Sequence, residues 1–150
     1  MFRKSANEET MAKTFQKLCE KFPGIERVND IPVREYMIKW MSAFAPDMTY
    51  MDAKAFCLPR FFKKNYLWHA FSFNLTDCTA GEEAEEKYSD GFSGKCYLLM
   101  NEENLLCTVP DGKLLTPEKL SELYDAVIFK ADFSETYVYT GKDGFGPYYK

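Results

Sequence analysis

His69 is the only histidine in the chain, set in Tyr66-Leu-Trp-His-Ala-Phe-Ser-Phe73 among aromatic side chains. An imidazole changes charge near neutral pH, so acid–base or metal chemistry would centre here. Read as a strand, the segment places alternate side chains on one face. Leu67, His69, Phe71 and Phe73 then lie together, with Tyr66, Trp68, Ala70 and Ser72 opposite. That face offers the imidazole no carboxylate or thiol. His69 therefore reads as a packed strand residue, titrating below the ~6.5 of a free imidazole because burial disfavours its charged form. It is a weak catalytic candidate and binds no metal in this reading.

The five cysteines, Cys19, Cys57, Cys78, Cys96 and Cys107, are odd in number and contain no C-x-x-C pair. The pattern suits neither a disulfide framework nor a zinc site and reads as reduced, buried thiols. A Cys–His nucleophile pair is formally available, but nothing selects which cysteine would take part. Gly91-x-x-Gly94-Lys95 faintly resembles a phosphate loop, yet it precedes a strand and lacks the following Ser or Thr; it reads as a turn. Glu82, Glu83, Glu85 and Glu86 lack the alternating Asp/Asn loop of a calcium site and read as a solvated helix face. No cofactor is expected.

One stretch interleaves cations with rings: Arg60-Phe61-Phe62-Lys63-Lys64-Asn65-Tyr66. Rings that stack on bases beside cations that meet phosphates suit single-stranded nucleic acid. A net charge of −4 and a pI of about 5.1 argue against that partner. Arg60, Phe61, Phe62, Lys63 and Tyr66, with Tyr148 and Tyr149 near the C-terminus, are instead candidate contacts for another protein.

Four segments have helical spacing and would position these residues. Met11, Phe15, Leu18 and Phe22 follow a capping box at Ser5-x-x-Glu8, and Pro23-Gly24 ends the run. Val33, Met37, Trp40, Met41 and Phe44 make a second stripe, with Asp30 placed to cap it, Pro32 in its first turn and Pro46 stopping it. Thr79-x-x-Glu82 is a capping box for the acidic helix. Thr116-Pro117-Glu118 starts a fourth helix with Leu120, Leu123, Tyr124 and Val127 as its apolar face. Strands are expected at residues 66–73, at 95–100 and 105–109 as a hairpin around Asn101-Glu-Glu-Asn104, and at 126–131 and 136–140 as a second hairpin. Residues 47–64 give no clear pattern. A right-handed crossover from 66–73 to 95–100 would make that pair parallel. The expectation is a single α+β domain over residues 1–150, its first seven residues open to disorder. It has one mixed, mainly antiparallel sheet of about five strands packed with about four helices.

Composition sets the class. Hydrophobic residues are 46% and charged residues 28%, the balance of a globule, and aromatics reach 17%. The basic start Met1-Phe-Arg-Lys-Ser runs into a polar stretch where a signal peptide needs an apolar core, and no run approaches the ~18 apolar residues of a membrane span. A cytoplasmic protein without membrane contact is expected.

"LWHAFSF", then "AGEEAEEKYSD", then "DFSETYVYTGKDGFGPYYK" resemble a family of small bacterial proteins, domain-of-unknown-function family 4275, over about residues 67–149. Leu67, Trp68, His69, Phe71, Ser72, Gly81, Ala84, Thr136, Tyr137, Val138, Gly146, Pro147 and Tyr148 match its L-W-H-x-F-S, Gly-x-x-Ala, T-Y-V and G-P-Y elements. The family pattern has His-Glu after the threonine, where this chain has Gly141-Lys142. If that second histidine serves chemistry elsewhere in the family, this chain lacks it. The resemblance implies a bacterial cytoplasmic source and assigns no activity.

Small, acidic, ring-rich domains without a convergent polar cluster suit a binding role. The leading expectation is a non-enzymatic protein-interaction or immunity-like factor. An enzyme assembled around His69 from residues distant in sequence is the alternative, and single-stranded nucleic-acid binding through Arg60 to Tyr66 the third.

Overall fold

A computed structural model describes residues 2–59, 65–101, 104–141 and 145–150, with side chains from residue 8 onward. Its frame is a sheet with seven strands among the described residues: β1 (Glu26–Arg27), β2 (Thr79–Ala80), β3 (Cys96–Met100), β4 (Leu105–Val109), β5 (Ala126–Lys130), β6 (Thr136–Tyr139) and β7 (Tyr148–Tyr149). The order is β1-β4-β3-β5-β6-β7-β2, and every neighbouring pair is antiparallel.

The three longest strands, β3, β4 and β5, are apolar at nearly every position because the sheet is covered on both faces. Polar and apolar residues alternate along a strand only where one face meets water. On one face, Leu99, Leu106, Val127, Phe129, Val138 and Tyr148 pack against three helical elements. These are α2 (Val33–Phe44); α3 (Tyr50–Asp52), which continues into a π-helical turn at Ala53–Cys57; and α4 (His69–Ser72). On the other face, Leu98, Cys107, Ile128 and Tyr137 meet Leu18 and Phe22 of α1 (Phe2–Lys21 for the helix, with Phe22 just beyond it) and Tyr88 of α5 (Glu82–Gly91). A one-turn helix, α6 (Pro117–Leu120), closes that side with buried Leu120.

Both expected hairpins form. In the first, Met100 opposes Leu105, Leu98 opposes Cys107 and Cys96 opposes Val109, the register that a four-residue Asn101–Asn104 loop dictates. The stripe of α2 also holds, with Met37, Trp40, Met41 and Phe44 buried, and Tyr36 joins them.

Several expectations are corrected. Residues 66–73 are not a strand: Ser72 N–H bonds Trp68 C=O at 3.0 Å and Phe73 N–H bonds His69 C=O at 3.0 Å. The burial follows the helical turn, with Leu67, Trp68, Ala70 and Phe71 inside and Ser72 and Phe73 outward. A short apolar run does not distinguish strand from helix by periodicity, and the tertiary position of this one decided it. Without that strand there is no parallel crossover, so the sheet is wholly antiparallel rather than mixed. It loses the expected strand and gains three of two residues each, β1, β2 and β7, too short to leave a pattern. The described residues form six α-helices rather than about four.

Helix starts shift too. α1 begins at Phe2, ahead of the Ser5 box. Pro32 stands at the N-cap of α2, with no side-chain cap from Asp30. Thr79 lies in β2 and accepts a hydrogen bond from Lys87 Nζ at 3.3 Å, while Gly81, at φ +73, is the N-cap of α5. Thr116 does cap α6, accepting the Lys119 N–H at 3.3 Å, but the helix ends at Leu120; Tyr124 is exposed and Val127 belongs to β5.

All five cysteines are free thiols, but only Cys57, Cys96 and Cys107 are buried; Cys19 is exposed and Cys78 half-buried. No helix among the described residues is long and apolar enough to cross a membrane.

Candidate functional site

His69 stands at the first position of α4, half-buried at the edge of the α2–α4 face. Two buried anchors set that position. The Leu67 N–H donates to Asn101 Oδ1 at 3.2 Å, fixing the entry to the turn on the β3–β4 hairpin. Phe71 enters the core edge-on to Trp40 (5.4 Å between ring centroids) and tilted against Tyr148 (5.7 Å). With 68 and 71 inward, helical spacing turns 69, 72 and 73 outward together.

The imidazole Nδ1 is 3.0 Å from Ser72 Oγ, one turn ahead. Its ring lies flat on Phe73, with centroids 4.4 Å apart and planes 1° apart. Trp68 meets it at a tilt, with centroids 4.4 Å apart, and Tyr66 meets it edge-on at 5.6 Å. The contacts continue outward in both directions. Phe73 meets Phe56 edge-on at 5.3 Å, and Trp68 meets Phe145 at 6.0 Å. Phe56, Phe73, His69, Trp68 and Phe145 thus form one band of rings that passes through the buried Trp68 and leaves Phe73 47% and Phe145 43% exposed.

The three sequence stretches that carry the family resemblance are joined through Tyr148 and the strands beside it. Gly81 N–H donates to Pro147 C=O at 2.8 Å, tying the start of the acidic helix to the Gly146-Pro147-Tyr148 segment. Tyr148 then pairs with Ala80 and Val138 and packs on Phe71. Thr136, in the Thr136-Tyr-Val138 stretch, accepts the Trp40 indole N–H at 2.9 Å and donates to Ile128 C=O at 2.7 Å.

The expected contact residues are thus distributed unevenly. Tyr66 and Tyr148 are buried in the core. Tyr149 is half-buried, and its hydroxyl donates to the Glu135 carboxylate. Arg60, Phe61, Phe62 and Lys63 lie outside the described residues. Sequence reading did not single out Phe56, Phe73 and Phe145 as a group. A helical reading of 67–73 would have separated Phe73 from the buried Phe71, whereas Phe56 and Phe145 are joined to it only by the fold.

Cys57 is buried in the core cluster beneath this site. Its Sγ lies 3.7 Å from Met48 Sδ, and burial pushes its pKa up to about 12, against a smaller lowering by the Ala70 backbone. It is held as a neutral thiol. Among the described residues, no group of three or more His, Cys, Asp or Glu side chains is placed to hold a metal ion.

The family model described as Domain of unknown function (DUF4275) matches residues 14–149. The match extends upstream of the 67–149 resemblance to include the C-terminal part of α1, from residue 14, and all of α2. The chain belongs to this family. No curated protein and no solved structure matches it.

Proposed function

We propose that this member of the DUF4275 family is a small bacterial, cytoplasmic, non-enzymatic protein-interaction factor of the immunity or accessory type. In this reading it grips its partner through the band of rings at α4. The observation that carries the proposal is the band itself: stacked and edge-on rings anchored in the core at Trp68, with Phe73 and Phe145 left open to solvent. Rings already held by their neighbours lose little freedom on binding and supply large contact areas, which is why aromatic anchors dominate binding energy at interfaces.

The test is co-expression with the products of neighbouring reading frames, followed by calorimetry on any complex formed. Wild-type protein should form a stable complex with one product. The double variant Phe73→Asp/Phe145→Asp should bind at least about 30-fold more weakly, as loss of one strong anchor implies, with unchanged circular dichroism. Equal binding by the variant, or no complex with any neighbouring product, would overturn the reading.

The second reading, an enzyme centred on His69, has the Ser72 contact in its favour, because a hydroxyl and an imidazole 3.0 Å apart have the separation of a nucleophile and its base. A fluorophosphonate probe that labels Ser72 in the wild type but not in His69→Gln would support it. An unlabelled Ser72 would count against it.

A further inference from the structure

On the face of the sheet opposite α4, the helix α5 borders a groove with two unlike ends. Glu82, Glu85 and Glu86 recur at helical spacing with Ser89 and Asp90, and together they line an open cleft of about 420 Å³. Ser89 and Asp90 also line the adjoining pocket of about 340 Å³. The floor of that pocket is apolar, formed by the buried side chains of Tyr88, Phe92 and Leu115, with Pro117 also lining it.

The pocket is held in shape. Tyr88 stacks on Tyr137 with centroids 4.0 Å apart, and its hydroxyl donates to Leu115 C=O, so the side chain is fixed at both its ring and its tip. The facing loop is pinned by the Asp111 carboxylate, which accepts N–H groups from Gly94 and Lys113, each at 3.0 Å. Gly112 lies so close to Phe92 that a Cβ there would sit 2.7 Å from the ring.

The placement of charge is not explained by helix stability. Glu82, Glu83 and Glu85 sit in the first turn, where the helix dipole favours them. Glu86 and Asp90 sit further along, where it does not, and no basic residue occupies the last turn. Lys87, the one cation of α5, reaches Thr79 instead. Like charges three and four residues apart oppose the helix, so opposite charge from outside would relieve them.

We infer that this groove receives a basic segment of a partner protein, with one apolar side chain seated on Tyr88, Phe92 and Leu115 and Lys or Arg side chains over Glu82, Glu86 and Asp90. An occupant needs both characters: a divalent cation or a polyamine satisfies the acidic run but leaves the apolar pocket empty. The surface lies across the sheet from the ring band, and this inference stands whether or not that band binds anything.

The test is fluorescence anisotropy with a short labelled peptide carrying one Leu flanked by Lys and Arg. Controls are the same peptide with Ser in place of Leu, spermine, and calcium chloride as competitors. The expected result is binding that weakens with added salt and drops at least about tenfold with the Ser peptide. It should drop similarly with Glu86→Lys/Asp90→Lys, both exposed sites, and tighten with Lys113→Glu at the pocket rim. Equal binding of the Leu and Ser peptides would overturn the inference, as would displacement by spermine or calcium at concentrations that match the peptide, or charge reversals without effect. Phe73→Asp/Phe145→Asp should bind this peptide as the wild type does; if that variant loses it, the groove is not where it binds.

Discussion

At the scale of single residues, Trp40 is secured twice. It is fully buried, with Phe44 and Phe71 tilted or edge-on against it, and its indole N–H ends on Thr136 Oγ1. Trp40→Ala should cost about 3–5 kcal/mol, from lost transfer energy plus the cavity left behind. Thr136→Val keeps the shape but strands the buried indole N–H, for a cost of about 1–3 kcal/mol. Urea unfolding of both variants checks the pair; a loss under about 1 kcal/mol for Trp40→Ala would mean that α2 is not seated in the core. The thiols divide by burial rather than behaving alike. Alkylation without reductant should place five labels on the unfolded chain. On the native chain Cys19 should react first, Cys78 more slowly, and Cys57, Cys96 and Cys107 only as fast as the fold opens. Fewer than five labels after unfolding would reveal a disulfide and contradict the free thiols.

At the scale of elements, the turn that follows β6 depends on one glycine. Gly141 adopts φ +66, and a Cβ there would lie 2.5 Å from Tyr124 C=O. A side chain meets both an unfavoured backbone region and a close backbone neighbour that has little room to give. Gly141→Ala should therefore destabilise by about 1–3 kcal/mol, and Gly141→His should not be milder. Thermal melts of the two variants decide this, and a neutral Gly141→His would mean that the turn adapts readily. α4 is the other informative element. Its four residues form a helix because Phe71 and the Leu67 N–H are claimed by distant partners, not because the segment has helical propensity of its own.

At the scale of the molecule, covering both faces of one sheet buries many groups that must stay neutral. Burial raises the thiols of Cys57, Cys96 and Cys107 from 9.0 to about 12 and the Tyr36 hydroxyl from 10.0 to about 12. It raises Tyr88 and Tyr137 as well. For each, the unfolded chain gives up its proton at lower pH than the folded one, so the folded state binds more protons in that interval. The stability they contribute is whole below about pH 9 and is lost as pH climbs toward about 12. Denaturant midpoints should be level in this respect near neutrality and fall steadily above about pH 9. Tyrosinate absorbance should show the buried rings ionising only together with unfolding; a smooth titration of all tyrosines in the folded protein would refute their burial.

The sequence by itself determined whatever rests on neighbours along the chain. It set the register of the β3–β4 hairpin through its four-residue loop, the second hairpin, the Thr116 cap, the buried stripe of α2 and the absence of a cysteine pattern for pairing. The family was legible in its short motifs. Only the tertiary structure decided what depends on which surfaces meet. Tyr66–Phe73 is a run whose apolar residues satisfy strand and helix alike until Phe71 finds Trp40 and Asn101 takes the Leu67 amide. Strands of two residues leave no period to read, so β1, β2 and β7 could not be seen. The ring band joins residues 56, 68, 69, 73 and 145, and the α5 groove joins residues 82–92 to 112–117. Separations of that length are closed by the sheet and its packing, and side-chain spacing along the chain carries no record of them.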